Sequence, residues 1–146
     1  SEPVLFYVFG SYLKSEIEED VQLGATAFAP TAGKREAGAP KFTIGARAQF
    51  ELGPVEFGAQ VKRTGSRFLN DINTIELPGY TVADFDLRLS LGHFNESLDK
   101  TYFQINVLNV LDEVYIGSAP TGLTTSGEFV NLGPPRAFTA SLVWGF

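Results

Sequence analysis

The sequence predicts an all-β chain built as an antiparallel transmembrane β-barrel, and three observations predict it. Apolar residues recur at every second position in several separate stretches, the period of a strand with two unlike faces. The connections between those stretches alternate strictly between long and short. Aromatic residues gather near both ends of the stretches, around an aliphatic middle.

About six strands follow from the first observation. The first, about Val4 to Lys14, is apolar on both faces near its start, so its sides stay unassigned. In "KFTIGARAQFEL", Phe42, Ile44, Ala46, Ala48 and Phe50 share one face, against Lys41, Thr43, Arg47, Gln49 and Glu51. "VEFGAQVK" sets Val55, Phe57, Ala59 and Val61 against Glu56, Gln60 and Lys62. "DFDLRLSLG" sets Phe85, Leu87, Leu89 and Leu91 against Asp84, Asp86, Arg88 and Ser90. "YFQINVLN" alternates Phe103, Ile105 and Val107 with Gln104 and Asn106, and Leu108 and Val110 then blur the pattern. The last stretch, "RAFTASLVWGF", carries Phe138, Ala140, Leu142, Trp144 and Phe146 on one face. Sustained helical periodicity is absent throughout.

Short turns fall at Leu52–Pro54 and His93–Asp99. Longer polar or Gly/Pro-rich loops cover about Glu16 to Gly38, Leu69 to Gly79 and Asp112 to Pro135. Barrels with short periplasmic turns and long extracellular loops have this layout.

Composition bounds the rest. The chain has 146 residues, no cysteine, a net charge of −6, a pI near 4.7 and a mean hydropathy of +0.03. Disulfides, thiolate chemistry and cysteine zinc sites are excluded. Nucleic acid is a poor partner for so acidic a chain, because phosphate binding calls for a basic stripe. The longest apolar run, Val4–Phe9, is far short of the roughly 18 residues a membrane helix needs. The start "SEPVLFYVFG" lacks a basic targeting region and the chain lacks methionine, so a mature protein or a fragment is expected.

Alternation alone does not say which face points inward: a soluble lipocalin-like binding barrel would hide the apolar face. Aromatic placement favours the membrane reading. The loop-side ends carry Phe42, Phe68, Tyr80, Tyr115 and Phe138, and the turn-side ends carry Phe50, Phe57, Phe94, Tyr102, Phe103, Trp144 and Phe146. Two aromatic girdles around an aliphatic band match the two membrane interfaces. From Phe42 to Phe50 the strand climbs about 26 Å, or roughly 20 Å along the membrane normal at a tilt near 40°. Phe85 sits inside the band as an exception. A passive porin-type barrel assembled from several short chains is a further alternative.

Several pieces also resemble a known family. "LPGYTVAD" opens a strand, "NVLNVLDEVY" follows with Asn106, Asn109, Asp112 and Tyr115, and "GPPR" leads into an aromatic-ended last strand. In this order and with these gaps they resemble the C-terminal end of a TonB-dependent outer-membrane receptor barrel, over nearly the whole chain. The resemblance implies about six C-terminal strands of a larger, 22-stranded type of barrel in the bacterial outer membrane, with 1–146 as a C-terminal barrel segment and the plug domain absent. It implies energy-coupled uptake of a scarce solute such as a siderophore, cobalamin, a sugar or a peptide, with no bond broken. The implied partners are outer-membrane lipid, the remaining strands and plug of the same receptor, and the TonB complex through a TonB box in the missing N-terminal part. The barrel assembly machinery is implied as well; it would read Phe138, Ala140, Leu142, Trp144 and Phe146 as an assembly signal.

No catalytic set converges. Asp84 and Asp86 share a face at a spacing of about 6.5 to 7 Å that would suit an inverting glycosidase pair. The plainer reading makes them part of a lumenal charge network with Lys41, Arg47, Lys62 and Arg88. His93, the single histidine, falls in a turn and supports neither a catalytic triad nor a histidine metal site. The oxygens of "EIEED" (Glu16–Asp20) offer a cation site, with a solvated loop as the competing reading. No cofactor and no metal site are expected. Ligand contact is expected from the long loops, at Arg67, Asn70, Asp71 and Asn73 on one rim and Tyr115, Thr121 and Thr125 on another.

Overall fold

A computed structural model describes residues 4–124 and 129–145. Thr125 and Phe146 therefore lie outside the described residues. The strands run in chain order as β1 (Val4–Tyr12), β2 (Val21–Gln22), β3 (Phe28–Ala29), β4 (Phe42–Leu52), β5 (Val55–Thr64), β6 (Arg67–Phe68), β7 (Glu76–Leu77), β8 (Tyr80–Ser90), β9 (Tyr102–Leu108), β10 (Ile116–Ser118), β11 (Asn131–Leu132) and β12 (Ala137–Val143). One turn of 3-10 helix covers Glu96–Leu98, and the Asn95 carboxamide oxygen caps it by accepting from the Ser97 amide.

The six long strands form one antiparallel meander in the order β1-β4-β5-β8-β9-β12. Long and short connections alternate as the sequence implies. Between β4 and β5 the turn is two residues, and Gly53 takes a φ of 59°, which a residue with a side chain adopts only at a cost. The three long connections each contain a small sheet of their own: β2 with β3, β6 with β7, and β10 with β11. Two- and three-residue strands carry no readable period, so the sequence shows these segments only as loops.

Register settles the first strand. Leu5 faces Gln49, Tyr7 faces Arg47 and Phe9 faces Gly45, whereas Phe6 faces Ala48 and Val8 faces Ala46. Directly opposed residues share a face. Leu5, Tyr7, Phe9 and Ser11 thus lie on the polar, lumenal face, and Val4, Phe6, Val8 and Tyr12 on the apolar face.

The same logic corrects two girdle assignments. Tyr80 has the parity of Asp84, and Tyr102 lies opposite Ser90, so both belong to the lumenal face rather than to the aromatic girdles. Phe68 lies in the β6–β7 loop sheet. The apolar-face aromatics that remain are Tyr12, Phe42 and Phe138 toward the loops and Phe50, Phe57 and Phe103 toward the turns. Phe85 shares one cross-strand row with Ala59, Ala48 and Phe6 in mid-face.

The sheet is a single layer. Its apolar face has no covering element among the described residues, and Phe6 and Phe138 are 64% and 72% exposed. The buried apolar residues are instead Ala29, Leu69 and Leu77, all in the long connections. A sheet whose hydrophobic side is open and whose polar side faces a lumen is built for lipid outside and water inside.

Candidate functional site

The lumenal wall is organised around one ion pair. Arg47 on β4 meets Asp86 on β8 with two parallel hydrogen bonds, 2.8 Å from Nη1 to Oδ1 and 3.1 Å from Nη2 to Oδ2. The two residues are two strands apart and must reach across β5. Gly58 lies under that bridge: a Cβ there would collide with both the Asp86 carboxylate and the Arg47 guanidinium. A bidentate pair of this kind fixes orientation as well as charge.

The other charged residues of the expected network go elsewhere. Asp84 accepts a 2.9 Å hydrogen bond from the Asn109 backbone amide, so the two aspartates serve different partners. Arg88 sits 4.4 Å from the centre of the Tyr102 ring and makes longer contacts, 3.3 and 3.4 Å, to the Gln104 side-chain oxygen. Lys41 lies 6.0 Å from the Tyr12 ring. Lys62 stands across from Gly45 and Val82. Among the described residues of the expected network, Arg47 and Asp86 form one ion pair, and Asp84, Arg88 and Lys41 take separate amide and ring contacts.

The loop residues expected to meet a ligand divide into two groups. Arg67 and Asn70 are 7% and 2% exposed. Arg67 donates through Nη2 to the Ile116 and Gly117 carbonyls at 2.8 and 3.2 Å, and Asn70 donates to the Thr74 hydroxyl and accepts from its amide. Both side chains are buried and hold loop backbone. Asp71 and Asn73 are spent in a similar way. Asp71 Oδ1 accepts from the Ala37 amide at 2.9 Å, while Asn73 accepts from the Arg35 amide and donates back to its carbonyl, at 2.8 and 2.7 Å. Asn73 achieves this at a φ of 57°, which Asn tolerates better than most residues.

Tyr115 stacks on Tyr80 with ring centres 4.1 Å apart, and its ring occupies the space above Gly133. Burial, helped by Tyr80 and Asp84, raises the Tyr115 phenol above its ordinary pKa. Thr121 is exposed and lies beside Gly38, where an added Cβ would meet its side chain.

The role of Asn109 escapes a linear reading. It is 2% exposed at a φ of 50°, where β9 leaves the sheet. Its side-chain amide donates to the Glu113 and Pro134 carbonyls, at 2.9 and 3.1 Å, and its oxygen accepts from the Glu113 amide at 3.0 Å. Asp112 meets Arg136 through the backbone amide and Nη2, at 3.4 and 3.1 Å. These contacts tie "NVLNVLDEVY" to "GPPR": the first motif clamps the second and so sets the entry of β12. Phe138, Ala140 and Leu142 then lie opposite Val107, Ile105 and Phe103. Trp144 follows at 64% exposure, and the Gly145 amide donates to the Thr101 hydroxyl at 3.3 Å.

In the acidic run, the Glu19 carbonyl accepts from the Thr31 hydroxyl and Asp20 from the Ala32 amide. Among the described residues no group of three or more His, Cys, Asp or Glu side chains is placed to hold a metal ion.

No family model matches the chain. Relatives and solved structures do. The chain is 33% identical over 100 residues to the ferrioxamine receptor of Yersinia enterocolitica, which covers 68% of this chain and 13% of that protein. It is 27% identical over 143 residues to the ferrichrome receptor FcuA of the same organism, covering 95% of this chain and 18% of that protein. The chain therefore spans less than a fifth of either receptor. The siderophore receptor PiuA of Acinetobacter baumannii superposes over 97% of this chain and 19% of its own, with a TM-score of 0.79 at 16% identity, a likeness of fold. The lipid-facing meander, the alternation of turns and loops, and the two receptor sequences agree: this chain belongs to the TonB-dependent receptors of the bacterial outer membrane and forms six neighbouring strands of their barrel.

Proposed function

We propose that this chain is the C-terminal barrel part of a TonB-dependent receptor that takes up a ferric siderophore of ferrioxamine or ferrichrome type. The observation that carries the reading is the 33% identity to the ferrioxamine receptor, over a stretch that includes two thirds of the chain. In this reading a plug from the rest of the receptor fills the lumen, and the lumenal Arg47, Lys62, Asp84, Asp86 and Arg88 face it. The TonB complex supplies the energy by pulling on the plug, and the protein breaks no bond in its solute. The barrel assembly machinery reads the alternate apolar residues Phe138 to Trp144, and lipid covers the open face.

The ligand-facing part of the reading rests on the loops. Arg67 and Asn70 serve as scaffold, Asp71 and Asn73 shape the rim, and Tyr115 buttresses it. Thr121 and Thr125 are the candidates for direct contact.

Deleting the receptor gene and following radioiron-loaded ferrioxamine and ferrichrome under iron limitation tests the function. Loss of uptake of one of them, restored by the gene in trans, is expected. Unchanged uptake of both would end the siderophore reading. Thr121→Ala with Thr125→Ala should weaken binding of the transported probe, and binding equal to the parent's would remove these two residues from the site.

A further inference from the structure

We infer that residues 35–38, 66–77 and 116–122, one stretch from each of the three long extracellular loops of this segment, form a single rigid body, a fixed wall of the entrance that does not open or close with the solute. The inference concerns the entrance of the receptor proposed above and rests on that reading for its setting. The geometry itself does not depend on it.

The middle loop is the keystone. It joins the first loop through the reciprocal Arg35–Asn73 bonds, the Ala37 amide on Asp71, and the Gly38 amide on the Phe68 carbonyl at 2.7 Å. The Arg35 guanidinium also lies 5.3 Å from the centre of the Phe68 ring. It joins the third loop through Arg67 on the Ile116 and Gly117 carbonyls, and through the Asp71 amide on the Gly122 carbonyl at 3.2 Å. A parallel bridge between Asn70 and Gly122 lies beside that bond. The first and third loops come close at Gly38 and Thr121, where a Cβ placed on Gly38 would lie 3.1 Å from the Thr121 Cγ2.

These links surround the most deeply buried apolar side chain of the described residues, Leu69 at 1% exposure, with Leu77 at 6%. Mobile loops have few buried contacts and solvent-facing backbone bonds; this cluster has the opposite character. Separating the middle loop from either neighbour would strip several buried or half-buried polar groups of their partners at once, at a cost that rises with each.

Gly38 and Thr121 supply a test. A Cβ built on Gly38 lies 3.8 Å from the Thr121 Cβ, which matches the mean separation in disulfides, about 3.8 Å. The Gly38→Cys/Thr121→Cys pair is to be made in the full receptor in the outer membrane, beside both single variants. The extent of cross-linking is then measured for the oxidised and the reduced protein. The reduced form carries the same strain from placing a side chain at a φ of 81°, so the comparison isolates the cross-link.

Oxidation near completion is expected, because a fixed wall holds the two positions at cross-linking distance. Failure of the pair to oxidise in a receptor that still transports would overturn the rigid wall. Hydrogen exchange of the unmodified receptor provides a second reading should the double variant fail to assemble. The amides of Arg35, Ala37, Gly38 and Asp71 should be protected to a similar degree, and saturating iron-loaded ferrioxamine or ferrichrome as probe should leave that protection unchanged. Large deprotection of one loop by the probe would refute the inference. If the unmodified receptor transports neither probe, the siderophore reading fails, while exchange still decides whether the loops move together.

Discussion

The sheet and the loop cluster of this chain invert the usual division of labour between regular and irregular structure. In a water-soluble domain the sheet buries side chains and the loops run exposed over the surface. Here the sheet buries almost nothing by itself, whereas Leu69, Asn70, Arg67 and Leu77 are enclosed in the loops. The contrast follows from solvent. Lipid accepts the apolar face of the strands directly, so only the backbone ladder has to be satisfied there. The loops stand in water and need a small core; the middle loop supplies Leu69 and Leu77, and hydrogen bonds tie the other two loops to it.

If that contrast is right, a loop substitution should cost more than a substitution on the sheet. Leu69→Ala should have the largest effect, about 3 kcal/mol, from lost apolar contact and the cavity left behind. Urea unfolding of the full receptor in detergent would show it; a loss below about 1 kcal/mol would mean the loop core does not hold. Asn109→Ala should cost about 2 kcal/mol, because the carbonyls of Glu113 and Pro134 lose a donor that is itself buried. It should also slow assembly, read as a delayed appearance of the heat-modifiable form, since Asn109 sets the entry of β12.

On the sheet, Gly58→Val should cost about 1 to 2 kcal/mol by forcing Arg47 and Asp86 apart. Arg47→Lys, which keeps the charge and loses the fork, should cost about 0.5 to 1 kcal/mol, as expected for a partly exposed pair. Equal losses for Gly58→Val and Leu69→Ala would erase the distinction between the two regions.

The smallest expected effect is alkaline. The Tyr115 phenol is raised above its ordinary value by burial, so the folded loops favour its neutral form. Its contribution to stability is complete below the ordinary tyrosine pKa of about 10 and is lost as pH rises through the raised folded value. Tyr115→Phe should keep the stack on Tyr80 and flatten the alkaline decline of the unfolding midpoint. An unchanged decline would place the titrating group elsewhere.

Much of the sheet was legible because one residue in two must be apolar where lipid lies on one side. β4, β5 and the turn-side half of β8 show this plainly. β1 does not, since Leu5, Tyr7 and Phe9 make its lumenal face apolar too, and only pairing with β4 assigns its sides. Tyr80 and Tyr102 misled because an aromatic near a strand end reads as a girdle residue whichever face it takes. The loop site was legible only as a set of polar residues at the right end of the barrel. What Arg67 and Asn70 do depends on carbonyls and turns that they reach across the fold, and no local pattern encodes that.

The bridge over Gly58 has a mechanical consequence. Two strand spacings separate the backbones of β4 and β8 by about 9.6 Å in a flat sheet. Bending the sheet toward its lumenal side shortens the path between side chains on that side, and flattening lengthens it. A forked bond of fixed length between Arg47 and Asp86 therefore behaves as a tie-rod on the concave side of a shell, opposing any increase in the local radius of the cylinder when its contents shift.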